Sequence, residues 1–246
     1  MKRFPFAMLL FCAALFLVSC NSNDSTEKTT DTKTGDSTGT TTPVAAEVNT
    51  IVTTPQNMIS VVHKVANFAK WQVSYEAHDS MKLANGLHNY VVGRGFNDSN
   101  MVLVAMKADD MEKAKAFAKD PSLKKAMQKG GVTGTPTMSF FTAVWQDTSM
   151  VAPGTLRSRT TFSVKDWDAW FKNFQEGKQE RMDNGIVDRV IGHEADDNKK
   201  VTLVTAVLDT AKAFAYYKSD LLKKRREAGG VIGEPQRFLF RVVKRY

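Results

Sequence analysis

Two histidines, His63 and His78, are the residues of this sequence best placed to do chemistry. His63 falls in register with Val61 and Val65 in a short run rich in β-branched residues, so it points to an apolar side. His78 continues the series Phe68, Trp71 and Tyr75, which lies on one face of a helix. An imidazole titrates near neutrality, so it can move a proton or hold a polar ligand. Both residues are therefore candidate ligand-binding groups and candidate catalytic acid-base groups. Glu76 lies on another flank of that helix. A metal is not expected, because two histidines fall short of three convergent ligands. The alternative is a pair of core or rim histidines bonded to the backbone.

Two further cations sit at matching places, Arg94 after Gly93 and His193 after Gly192, at the ends of apolar runs. Together they could meet an anionic ligand, although exposed strand-end cations are common. His88 reads as structural. Trp71, Tyr75, Trp170 and Phe174 have the helical spacing of core residues, which outweighs reading them as an aromatic box. The sequence has no Gly-x-Ser-x-Gly and no His-Glu-x-x-His, and its glycine-rich turns follow helices instead of opening them. Nucleotide binding through a phosphate-cradling loop is therefore not expected.

The elements that must position these groups come in two copies. Gly130-Gly131-Val132-Thr133-Gly134-Thr135-Pro136 returns 99 positions later as Gly229-Gly230-Val231-Ile232-Gly233-Glu234-Pro235. Val65, Phe68, Trp71 and Tyr75 correspond to Val164, Trp167, Trp170 and Phe174, and Asn85-Gly86 to Asn184-Gly185. The pentapeptide at 114–118 recurs at 211–215 with an offset of 97, which calls for a two-residue shortening and a compensating insertion. Each copy reads strand, helix, strand, strand, helix, strand. Asn67 and Asp166 are suited to cap the first helix, and Asn-Gly to end it. The final strands are expected over 137–144 and 236–243. This is the ferredoxin-like βαββαβ order, an α+β fold whose sheet has helices on one face only. Two tandem repeats, 55–150 and 151–246, can cover the other face by packing sheet to sheet. The second copy carries Phe162 and Gly177 where the first has His63 and His78, so that pair exists once. The first half is expected to keep a site and the second mainly to complete the scaffold.

His-x-Val on a strand, Asn-Phe-x-x-Trp, Asn-Gly-Leu and Lys-Lys-x-Met-x-x-Gly-Gly-Val (124–132) together resemble the dimeric α+β barrel superfamily. Within it, they resemble small proteins similar to the antibiotic-biosynthesis monooxygenases, over residues 58–246. The resemblance implies an intramolecular barrel and a monomer with an internal pseudo-dimer. It also implies chemistry without metal or flavin on electron-rich aromatic substrates, in a site between sheet and helices where His63 and His78 are acid-base candidates. No cofactor is expected. Fold does not fix function, so three readings follow. The first is binding of a small hydrophobic or aromatic molecule. The second is a cofactor-independent monooxygenase or isomerase. The third is an envelope protein-interaction module.

The envelope enters through the leader. Met1-Lys2-Arg3 is basic, residues 4–18 are mainly apolar, and Leu17-Val18-Ser19-Cys20 follows. The apolar run is short for a membrane span and reads as a signal peptide over 1–19. Its last four residues resemble the lipobox of bacterial lipoproteins, which implies that Cys20 becomes the acylated first residue of the mature chain. Cys12 lies in the leader, so the mature chain can form no internal disulfide. Residues 20–54 are the lipidated cysteine and a Ser/Thr/Asp-rich tether, too polar to order itself. About 30 such residues span roughly 30 Å. Losing Lys2 and Arg3 with the leader lowers the net charge from +8 to +6. Basic clusters at 223–226 and 237–245 read as a solvated face. The partners expected are a lipid bilayer, through Cys20, and a small hydrophobic ligand. Nucleic acid is not expected outside the cytoplasm.

Overall fold

Residues 49–246 are described by the computed structural model; the leader, Cys20 and most of the tether lie outside the described residues. The tether's last residues hold a short strand, β1 (Ile51–Val52). The first repeat then runs β2 (Gln56–Val65), α1 (Phe68–Ala77), α2 (Asp79–Ala84), β3 (Leu87–Gly95), β4 (Met101–Ala108), α3 (Met111–Ala118), α4 (Pro121–Lys129) and β5 (Val132–Asp147). The second runs β6 (Leu156–Val164), α5 (Trp167–Glu176), α6 (Lys178–Asp183), β7 (Ile186–Glu194), β8 (Lys200–Val207), α7 (Thr210–Tyr217), α8 (Asp220–Ala228) and β9 (Val231–Arg245). Each expected helix is thus broken into two short ones.

Local chemistry sets the breaks. Asn67 and Asp166 accept from the N–H groups of Lys70 and Ala169, at 3.0 and 2.8 Å, and so cap α1 and α5. Asp110 and Asp209 cap α3 and α7 in the same way. Asp120 and Ser219 cap α4 and α8, where each second helix restarts. Gly86 and Gly185 turn the chain at φ +68° and +69°, as a left-handed helix end requires.

The capping aspartates correct one expectation. They are 99 residues apart, and so are the fully buried pair Ala114 and Ala213 and the buried rings of Phe117 and Tyr216. No shortening or insertion exists there. The pentapeptide offset of 97 is a coincidence of alanine-rich helices, because burial decides which residues are equivalent.

The final strands are longer than the apolar runs suggested, beginning at Val132 and Val231. Gly134 and Gly233, with φ of +72° and +68°, mark bulges where the register to β2 and β6 shifts. Their length has a use. β5 pairs with β2 and then, from Phe141 to Gln146, with β7 of the other repeat. β9 pairs with β6 and then, from Phe240 to Arg245, with β3. The order β5-β2-β4-β3-β9-β6-β8-β7, closed by β7 on β5, is an eight-stranded antiparallel barrel, with β1 pairing the end of β5 beyond the start of β2. Closure removes the free edges that two separate sheets would expose. Outward residues of β2, Ile59, Val61 and Val65, pack on helices around Trp71, while Met58 points inward to Phe141.

Candidate functional site

Alternation along β2 puts His63 on the outward face with Ile59 and Val61, beneath the helices of the first repeat. A cavity of about 100 Å³ lies there between the sheet and α1 to α4. Its walls are mostly apolar, with Val104, Met106, Phe117 and Met138 among them, and His63, His78, Tyr75 and Lys82 supply polar groups. His63 is 6% exposed, and neither ring nitrogen has a hydrogen-bond partner among the described residues. Its ring lies 5.4 Å from that of Trp71. Burial lowers its pKa to about 4, so the ring is neutral at physiological pH.

His78 caps the end of α1 and reaches the same cavity. Its Nδ1–H donates to the Ser74 carbonyl at 2.6 Å, which in the neutral ring leaves Nε2 as an acceptor. The structure therefore brings the two candidate histidines to one cavity. Glu76 instead turns to the last strand, where it pairs with Lys244 at 2.7 Å.

Lys82 is a lining residue that the sequence reading missed. It is 6% exposed, with Nζ 3.3 Å from the centre of the Tyr75 ring and 2.7 Å from Asp79. Burial pulls its pKa down and the Asp79 carboxylate opposes that. Burial is also the main reason the Tyr75 phenol is held above its ordinary range; its hydroxyl donates to Asn89 at 2.6 Å. The signal that could have found Lys82 was the repeat itself. Ninety-nine residues on, Arg181 lies 3.5 Å from the centre of the Phe174 ring and pairs with the buried Asp188 at 2.6 Å. A cation over an aromatic ring closes the first helix pair in both halves.

Arg94 and His193 do not join this site or each other. The guanidinium of Arg94 covers the Phe68 ring at 4.3 Å while its Nε–H donates to the Ser99 carbonyl at 2.8 Å. The ring of His193 meets Trp167 edge-on at 4.8 Å. Each holds down the first helix of its own repeat, and β3 and β7 are not neighbours in the barrel. His88 pairs with Asp109 at 2.9 Å on the surface.

The second repeat also has a helix–sheet cavity, of about 90 Å³. Phe162 fills the place of His63 and packs on Trp170 at 5.4 Å. Two of the cavity's four arginines are paired, Arg181 with Asp188 and Arg225 with Glu180 at 2.8 Å, while Arg237 lies over the Tyr217 ring. Among the described residues no cluster of three or more metal-ligating side chains occurs.

Comparison with solved structures places this architecture among known ones. An anthrone oxidase-like protein superposes with a TM-score of 0.54 at 13% identity, over 79% of this chain and 94% of its own. A candidate monooxygenase of Fusobacterium nucleatum gives 0.51 at 12% identity, over 77% and 93%. A candidate chlorite dismutase gives 0.51 at 13%, over 77% and 95%. At such identities the likeness is one of fold, the α+β barrel built from two ferredoxin-like halves. The chain matches no protein-family profile and no curated protein.

Proposed function

We propose that the protein binds a small apolar or aromatic molecule carrying one polar group, in the helix–sheet cavity of its first repeat. The observation that supports this most is the His63 imidazole, buried on the cavity wall with both nitrogens unpartnered among the described residues. A buried polar group without a partner is costly, and a ligand hydroxyl or carbonyl would satisfy it. About 100 Å³ of space is well below the 300–1,000 Å³ of drug-sized pockets and suits a molecule of about one ring. Trp71 lines the cavity, so its fluorescence is the natural reporter. Small phenols or indoles titrated against the protein should quench it with saturation. His63→Phe copies the second repeat, where Phe162 already packs well, and should abolish binding while the protein stays folded. Unchanged affinity in that variant would defeat the proposal.

A cofactor-independent oxygenase or isomerase is the second reading, favoured by the neutral imidazole and by the oxygenase-like names among the fold neighbours. Strength counts against it. Moving a proton from an ordinary phenol to a base of pKa about 4 is uphill by roughly 8 kcal/mol. Binding is therefore preferred, and oxygen consumption in the presence of bound phenol would reverse that preference.

The same proposal places the barrel at the cell envelope, held by acylated Cys20 on its tether. Several acyl chains anchor firmly, since each buried methylene adds about 0.8 kcal/mol. Cys20→Ala should move the protein from the membrane to the soluble fraction, and a variant still sedimenting with membranes would rule the anchor out.

A further inference from the structure

The inside of the barrel carries positive charge left without an ion pair among the described residues. A cavity of about 60 Å³ lies there, on the opposite face of the sheet from the His63 site. Two of its walls are Arg157 and Arg159, the inward residues of β6, where β2 has Met58 and Ser60 at the equivalent places. They are only 6% and 8% exposed. Among the described residues neither guanidinium has an ion pair. Asp147, the carboxylate on the cavity wall, is already engaged by Arg189 at 2.9 Å and by Thr50 and Ser149. Glu194 acts on Arg159 from a distance, but its oxygens accept from the Ser139 hydroxyl and the Phe140 N–H. Arg245, exposed, adds a further cation on the wall.

Polar atoms point the same way. Ser60 Oγ, Thr202 Oγ1 and Arg159 Nε are buried without a partner among the described residues, and all three residues line this cavity. Every one of these groups can donate. Guanidinium does not lose its proton in proteins, and even with burial Arg157 keeps a pKa of about 10, so both arginines are charged at neutral pH. Water could satisfy the hydrogen bonds but not the charge. The hydroxyls and the planar forks of two arginines together match the oxygens of one small anion.

We infer that the barrel interior is a binding site for a small oxyanion, a carboxylate or phosphate group held by Arg157, Arg159, Ser60 and Thr202. The volume admits the anionic group itself, and the exposed Arg245 on the wall puts a further cation near solvent. The inference does not rest on the His63 cavity, and a result at either site leaves the other standing.

The test is calorimetric titration of the full chain with inorganic phosphate, acetate and octanoate, at ionic strength fixed with chloride. Saturable binding of at least one, beyond any effect of chloride, is expected. Octanoate binding at least tenfold tighter than acetate would identify the head of a longer acid, and comparable affinities would identify a free anion. R157M and R159S install what the first repeat already carries at these positions, and each should weaken binding at least tenfold. Arg237→Met, in the outer cavity of the second repeat, should leave it unchanged. Line broadening of the phosphate phosphorus signal by the unmodified protein provides a measurement that needs no variant. Equal responses to phosphate, carboxylates and chloride, or full affinity in both arginine variants, would overturn the inference.

Discussion

At position 63 a single ring substitution separates the two halves of the molecule, and its cost is legible in the response to pH. The folded protein holds His63 neutral down to a pKa of about 4, whereas an unfolded chain protonates it near 6.5. Between those values the unfolded state binds more protons, so stability falls as pH drops from 6.5 to 4 and is unaffected by this group above 6.5. The full difference amounts to about 3 kcal/mol. Urea unfolding at pH 7, 5.5 and 4 should show His63→Phe losing about 3 kcal/mol less than the parent protein over that range. Parallel losses in the two proteins would mean that the ring is protonated without penalty. Lys82 is a different case of the same physics, since Asp79 and the Tyr75 ring accompany its ammonium into the interior.

Between elements, the decisive contacts are the two seams where a final strand crosses into the other repeat. The repeated glycines Gly93 and Gly192 stand at these seams, facing β9 and β5. A methyl group on Gly192 would overlap the Thr142 carbonyl and touch the Ala143 Cα, both backbone atoms. On Gly93 it would meet mainly the Phe240 ring, a buried side chain that borders the interior cavity. Overpacking typically costs about 1–3 kcal/mol, and a rigid neighbour puts the site at the high end. Gly192→Ala should therefore lose roughly 3 kcal/mol and Gly93→Ala roughly 1 kcal/mol in chemical denaturation. The opposite ranking would mean that β5 yields more easily than the Phe240 ring.

For the molecule as a whole, one polypeptide closes a barrel that two separate ferredoxin-like units would have to form by association. The end of β9 is one of the two closures, through Val91 opposite Arg245 and Gly93 opposite Val242, reinforced by Lys244 on Glu76. Deleting residues 242–246 would leave Val91 to Gly93 of β3 unpaired while Arg94 and Gly95 keep Arg241 and Phe240, and unpaired edges recruit other chains. Light scattering of the truncated protein should then show concentration-dependent self-association, while the full chain stays a single species. A truncated chain that remained monomeric and equally stable would place the closure elsewhere.

The ferredoxin-like order of each half and the caps Asn67 and Asp166 were determined by the sequence, because each depends on residues close along the chain, and the duplication because the same local pattern returns 99 positions later. The placement of His63 and His78 on one apolar side was likewise legible, since periods of 2.0 and 3.6 fix which way a side chain points. Strand closure was not. Whether β5 and β9 stop at their own sheet or continue into the next depends on partners about fifty to one hundred and fifty residues away. For the same reason the sequence could not say that Arg157 and Arg159 line one cavity inside a barrel while Arg94 and His193 are parted. Alternation gives the side of a strand, but only tertiary closure decides what the two sides enclose.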